Sequence, residues 1–361
     1  MKPASGAHWR TILLIAVILA IVVAVVFLPS GRDSQQAARL KVVCTFLPNY
    51  VFTRNVVGDT PGVDIRLLVS TAVGCPHNYV VTPADLKAVS QADLIVANGL
   101  GLESFLDTLQ KANPKARLIT ISDDCEILQS RTSHHHKHHS AETAASRPAT
   151  DRQAAPNRNE HEHDNHHQGA ATAPAPETDD HYDEEHAAGE PNPHVWVSPI
   201  QAIRQIRNLA HRLSEADPQY AARYQANAEA YVARIQALHR RLREASVRFA
   251  NRRIVTFHDA FAYLAKDLDL EVVATLTLDP SRPPSAAEMT EVIDAIRRTG
   301  AAAVFFEPAY SDAVARTISR DAGVPAFPLN PFNSLDVDPT ERSYEEVMEA
   351  NLEVLVKALG S

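Results

Sequence analysis

Short apolar blocks alternate with helical patterns over residues 40–130. "RLKVVC" is a strand-like run ending near Cys44, and an amphipathic helix through Phe52 and Val56–Val57 follows it. "VDIRLLV", "ADLIVANG" and "ARLITIS" read as three further strands, and "LESFLDTLQKA" as a helix. "TPADLKAVSQ" opens a helix, because the Thr82 hydroxyl can accept from otherwise unpaired amides and Pro83 suits the first helical position. From 218 to 252 proline and glycine disappear after Pro218, while Tyr220, Tyr224, Tyr231, Ile235, Leu238 and Leu242 recur at helical spacings. This predicts one long helix of roughly 30 residues, about 45 Å. The strand–helix alternation then restarts with "RRIVTFHDA", "EVVATLTL", "AAEMTEVIDAIRRTG", "AAAVFFEP", "SDAVARTISRDAG" and "PAFPLNP", and closes on the helix "YEEVMEANLEVLVKAL". Such alternation implies parallel sheets covered by helices.

The pattern predicts an α/β fold of two parallel-sheet lobes joined by one long rigid helix. An N-terminal lobe spans 40–198, a helical segment with the linking helix 199–252, and a C-terminal lobe 253–361. A binding site is expected where strand ends face the inter-lobe cleft.

Two stretches break the pattern. Residues 12–28, Ile12 to Leu28, contain no polar side chain and follow Lys2 and Arg10. That run predicts a signal or membrane-anchor helix, with residues 1–11 cytoplasmic and the remainder on the periplasmic or extracytoplasmic face, either tethered or cut free. From 134 to 193 there is no Ile, Leu, Val, Phe, Met or Trp. With nothing to bury, this segment reads as a disordered loop inserted into the first lobe.

Composition changes the picture at one residue type. The net charge of −9 gives no electrostatic reason to expect nucleic-acid binding, but the chain holds 17 histidines. Eleven lie in the loop: His134, His135, His136, His138, His139, His161, His163, His166, His167, His181 and His186, mixed with acidic residues. A flexible segment of this kind suits loose capture of several metal ions and not a preformed tight site. Cys44, Cys75 and Cys125 fit either one disulfide with an odd thiol or three reduced, buried side chains.

Outside the loop, chemistry gathers where strands end: His77 in "GCPHNYVVTPADL", His194 in "PNPHVWVSP", His258 in "VTFHDAFAYLA" and Glu307 in "AVFFEPAYS". Neutral imidazoles are borderline ligands suited to zinc, and three with an oxygen make a four-coordinate site. Because His77 and His194 belong to one lobe and His258 and Glu307 to the other, a metal held by all of them would bridge the cleft. Each signal alone also fits a structural histidine at a strand end. Neither HExxH nor GxxxxGK[ST] occurs, which weighs against a zinc hydrolase and places any ATPase on a partner.

Taken together, "PHNYVVTPADL", "NGLGLESFLD", "NPHVWVSP", "FHDAFAYLAKDLDLE", "PSAAEMTEVIDAIRRTGAAAVFFEP" and "NPFNSLDVDP" resemble the metal-binding solute-binding proteins of ABC importers, specifically the zinc branch. The resemblance runs over residues 40–361. It implies a monomeric, non-enzymatic protein that captures Zn2+ as transported ligand through His77, His194 and His258, then delivers it to an ABC permease and its ATPase. From its histidine and carboxylate density, the His-rich loop is expected to concentrate or sense zinc and hand it to the cleft, the alternative being a tolerated insertion with incidental metal affinity. Manganese binding and a surface-adhesin role are the alternatives within the same family.

The chain departs from that pattern twice. Asn330, in "LNPFN", stands where family members commonly carry an aspartate ligand. A neutral amide oxygen disfavours hard cations such as manganese, so the fourth donor is expected to be Glu307 or water, with Asn330 as the other candidate. Cys75 stands two residues before His77, where an aspartate is usual. It is read as a disulfide partner of Cys44 at the end of the neighbouring strand, with a soft thiolate ligand as the other reading. Asp259 and Glu307 are also placed to accept the distal N–H of a ligand histidine, although Asp259 equally suits a helix N-terminus. Asn98 and Glu103 are expected to organise a turn beside the site without touching metal.

Overall fold

β1 (Leu40–Cys44) forms the inner strand of the first sheet because, Lys41 apart, its side chains are apolar and buried on both faces, as a parallel strand covered on both sides requires. In this computed structural model, which describes residues 39–77, 79–130, 189–276 and 284–360, β1 pairs in parallel with β2 (Val63–Leu67) and β3 (Leu94–Ala97). β4 (Arg117–Thr120) pairs with β3, giving the order β2-β1-β3-β4. Three helices connect these strands: α1 (Leu47–Val57), α2 (Pro83–Val89) and α3 (Leu106–Ala112). Thr82 caps α2 as its position predicts, accepting from the Asp85 amide while the Asp85 carboxylate accepts from the Thr82 amide.

The second lobe repeats the arrangement. β5 (Arg253–Phe257), β6 (Glu271–Leu276), β7 (Ala303–Phe306) and β8 (Ala326–Pro328) form a parallel sheet of order β6-β5-β7-β8. Its helices are α6 (Ala262–Leu268), α7 (Ala286–Thr299), α8 (Ala313–Ala322) and the C-terminal α9 (Ser343–Leu359).

Between the lobes, α4 (Pro199–Ala216) packs along α5 (Ala221–Ser246). The linking helix thus has 26 residues, about 39 Å, shorter than the apolar periodicity suggested. Residues 218–220 form a 3₁₀ turn, in which the Tyr220 amide bonds to the Asp217 carbonyl, before the α-helix begins. One continuous apolar core runs from β1 through α4 and α5 to α9, including Phe52, Tyr231 and Tyr344. The lobes are also stitched beside the cleft: the Trp196 indole donates to the Pro331 carbonyl at 2.7 Å, and the Tyr344 hydroxyl donates to the Trp196 carbonyl at 2.9 Å.

Residues 12–28 and residues 134–188 lie outside the described residues. Among those described, no helix is long and apolar enough to cross a membrane. Residues 189–193, which composition assigned to the loop, are held by backbone pairing. Gln129 and Pro191 form an antiparallel bridge, the Ser130 amide donates to the Glu190 carbonyl at 2.8 Å, and the Asn192 amide donates to the Leu128 carbonyl at 2.8 Å. This Gly-Glu-Pro-Asn-Pro stretch holds no large apolar side chain and is ordered by hydrogen bonds, so a hydrophobicity pattern could not register it.

Candidate metal centre

Four potential donors meet in the cleft, two from the long connection after β2 and two from positions next to an element. His77 and Cys75 sit on the turn between β2 and α2, His194 immediately before the 3₁₀ turn Val195–Val197, and His258 directly after β5. One donor atom from each of Cys75, His77, His194 and His258 lies within 4.8 Å of all the others. Nε2 of His77 is 3.1 Å from Nε2 of His194, and the His194 and His258 ring centroids are 4.4 Å apart. All three histidines are buried, and Cys75 is half-buried.

Hydrogen bonds behind the rings set which nitrogen faces inward. Asn192 donates its amide N–H to the Asp259 carboxylate at 3.0 Å and to the Asp259 carbonyl at 2.8 Å, both of which can only accept. Its Oδ1 is therefore fixed as the acceptor for Nδ1–H of His194, at 2.9 Å, and for the His194 amide at 3.0 Å. That places the His194 proton on Nδ1 and the lone pair on Nε2, toward the cluster. Glu307 does the same for His258. Its fully buried carboxylate accepts from Nδ1–H at 3.0 Å through Oε1 and from the Asn333 amide at 2.8 Å through Oε2. Nε2 of His194 thus offers its lone pair toward Nε2 of His77, 3.1 Å away, where it can accept an N–H or face a cation.

The backbone at His258 is held out of its ordinary range, with φ 64° and ψ 148°. An L-residue here costs of order 1–3 kcal/mol and persists where surrounding structure enforces it, commonly at functional sites.

Several sequence expectations fall differently. Glu307 stands behind His258, with both oxygens engaged, and is not one of the clustered donors. The Asn330 carbonyl accepts from the Phe332 amide at 2.8 Å and its NH2 donates to the Ser334 carbonyl, so this side chain shapes its own turn. The Cys44–Cys75 disulfide is not formed. Cys44 is fully buried against α1 and donates to Thr53 Oγ1 at 3.3 Å, whereas Cys75 Sγ lies 3.5 Å from Nε2 of His194 in the cleft. Asp259 accepts from Ser130 Oγ at 3.1 Å as well as from Asn192, and so acts on His194 through Asn192. Asn98 and Glu103 organise the neighbouring turn: Glu103 accepts from Thr45 Oγ1 and the Asn98 and Gly99 amides, and Asn98 donates to the Pro193 carbonyl at 3.0 Å. The eleven loop histidines lie outside the described residues. Asn192, Ser130 and Asn333 carried no sequence signal of their own weight. The one available cue was an asparagine two residues before His194, the spacing for a local side-chain-to-amide bond.

Comparison with known proteins gives a consistent result. The family model described as "Zinc-uptake complex component A periplasmic" (ZnuA) matches residues 42–358. The zinc-binding lipoprotein AdcA of Streptococcus pneumoniae is 30% identical over 347 residues, which cover 94% of this chain and 60% of AdcA. The chain thus spans about 60% of the length of that relative. The high-affinity zinc uptake system protein ZnuA of Bacillus subtilis is 26% identical, covering 91% of this chain and 90% of that protein. The crystal structure of Zn(II)-bound AdcA from S. pneumoniae superposes with a TM-score of 0.65 at 27% identity, covering 89% of this chain and 58% of that one.

Proposed function

Since the chain belongs to the ZnuA family of zinc-uptake complex components, we propose that it is the extracytoplasmic substrate-binding component of an ABC importer, which captures Zn2+ in the cleft and delivers it to a membrane permease. In this reading His77, His194 and His258 ligate the ion. The observation that carries it is the convergence of these three rings from both lobes, with Asn192 and Glu307 turning the lone pairs of His194 and His258 inward. A cation held this way ties one lobe to the other, so the loaded and empty forms differ in how firmly the cleft is closed. A permease can sense that difference without touching the metal. Glu307 and Asp259 act as positioning residues, and Asn330 shapes a turn.

The His-rich loop fits a role as a low-affinity collector. Its stem at Ser130 and Asn192 is bonded to Asp259, one step from His194, so ions gathered there arrive beside the cleft. Exported placement, whether by cleavage or anchoring at residues 12–28, and a partner ATPase complete the reading.

Zinc titration against a chromophoric chelator tests it. Alanine at any one of His77, His194 or His258 is expected to abolish the tightest single site while the loop continues to bind ions weakly. Tight one-to-one binding that survives all three replacements would overturn the assignment.

A further inference from the structure

We propose that Cys75 is the fourth donor, so that this cleft holds its cation by three imidazoles and a thiolate. The inference rests on the three-histidine reading above and deepens it.

Geometry is the first argument. For zinc–sulfur and zinc–nitrogen bonds of about 2.3 and 2.0–2.1 Å, the edges of a tetrahedron are about 3.5 Å from S to N and about 3.3 Å from N to N. Cys75 Sγ lies 3.5 Å from Nε2 of His194, and the His77 and His194 Nε2 atoms are 3.1 Å apart. No donor pair in the set exceeds 4.8 Å, so a small closing movement completes the polyhedron.

Elimination by chemistry is the second. The two side-chain oxygen candidates are engaged elsewhere, Glu307 by His258 and Asn333 and Asn330 by its own turn, which leaves Cys75 as the one clustered protein donor besides the histidines among the described residues. Charge is the third. Three neutral imidazoles bring no charge into contact with a buried +2 ion, since the carboxylates of Glu307 and Asp259 stand behind the rings, and a thiolate supplies one negative charge directly. On binding, the S–H bond breaks, its proton leaves to solvent, and the sulfur pair forms the metal–sulfur bond.

Sulfur in place of a carboxylate has a consequence for selectivity. A soft thiolate favours zinc and disfavours manganese and magnesium, which prefer oxygen. Cys75 is then the residue that sets the ion preference of this chain.

The full chain loaded with one equivalent of Co2+ reads this directly, because a thiolate on cobalt gives a near-ultraviolet charge-transfer band that imidazoles do not. The band is expected in the wild type and absent in Cys75→Ser. Cys44 and Cys125 do not compete, since burial pushes both thiols up to about 12. Cys75→Ser is expected to weaken zinc binding on the order of 10–100-fold, and Cys75→Asp to narrow the zinc-over-manganese preference. A cobalt-loaded wild type without the band, a band that persists in Cys75→Ser, or unchanged zinc affinity in that variant overturns the proposal. Those outcomes leave the three histidines untouched, because His194→Ala tests them separately.

Discussion

Oε1 of Glu307 lies 3.0 Å from Nδ1 of His258, in a carboxylate with no solvent exposure. This relationship sets Glu307 behind the His258 ring with both oxygens engaged, and under the proposed ligand set it separates two outcomes. A carboxamide oxygen can still accept from Nδ1–H, so Glu307→Gln is expected to keep His258 oriented and to cost about tenfold in zinc affinity. Glu307→Ala leaves the imidazole and the Asn333 amide without an acceptor and is expected to cost about 100-fold. Chelator competition on the two variants checks the order. Equal losses would point to direct coordination.

Asn192 links the loop stem to the cleft. Its amide orientation depends on Asp259, and the His194 tautomer depends on that orientation. Asn192→Ala is expected to weaken zinc binding about 10–100-fold without unfolding the protein. Asn192→Asp is expected to be worse in stability, because it sets a second carboxylate against Asp259. Titration and thermal melting of both variants check this.

Much of the fold was legible because it is written in local terms. The strands Val42–Cys44, Leu94–Ala97 and Ala303–Phe306 are apolar on both faces, and the Thr82 cap sits where its hydroxyl is needed. The histidines were legible through motifs that match a family, although only His258 directly follows a strand, His77 lying in the β2–α2 connection and His194 before a 3₁₀ turn. The support around them was not, because it is tertiary. Whether Glu307 faces a metal or backs a histidine depends on Asn333, 26 residues away, and whether Cys75 meets Cys44 depends on the burial of Cys44 beside Thr53. No spacing rule carries that information.

Removing residues 134–187 tests the collector role. The stem pairing of Ser130 with Glu190, and of Leu128 with Asn192, lies outside the deletion and is expected to hold the fold. The expected result is loss of the several weak ions with retention of one tight ion, read as stoichiometry by calorimetry. Uptake in scarce zinc by cells carrying the shortened chain is expected to fall. Unchanged uptake would make the loop dispensable.

Asp267 supplies a pH dependence. Burial pushes its carboxyl up to about 6 from the usual carboxylate range, against a smaller opposing contribution from the Ser198 hydroxyl, which donates to it at 2.5 Å. A raised carboxyl binds its proton more tightly in the folded chain. Its stabilisation is therefore complete below about pH 4 and is lost as pH rises through about 6, by about 2–3 kcal/mol in all. Asp267→Asn keeps the partner for Ser198 without the charge. It is expected to gain about 2 kcal/mol relative to wild type on going from pH 4.5 to 7, measured by denaturant unfolding of the metal-free proteins. A constant difference between the two would place Asp267 in an ordinary environment.

The strained backbone of His258 gives a prediction that separates ligation from folding. At φ 64° and ψ 148° the residue occupies a region that glycine enters without penalty and alanine does not. His258→Gly and His258→Ala both remove the imidazole and are expected to lose tight zinc binding alike. Their metal-free stabilities should differ. Glycine gives up more conformational entropy on folding, which costs about 0.5–1 kcal/mol, but it escapes strain of about 1–3 kcal/mol. The glycine variant is therefore expected to be the more stable by about 1 kcal/mol, read from urea midpoints in the presence of chelator. An alanine variant as stable as the glycine one would mean that the chain after β5 relaxes once the imidazole is gone. The hydrogen bond to Glu307, and not the packing of the turn, would then be what holds His258 in place.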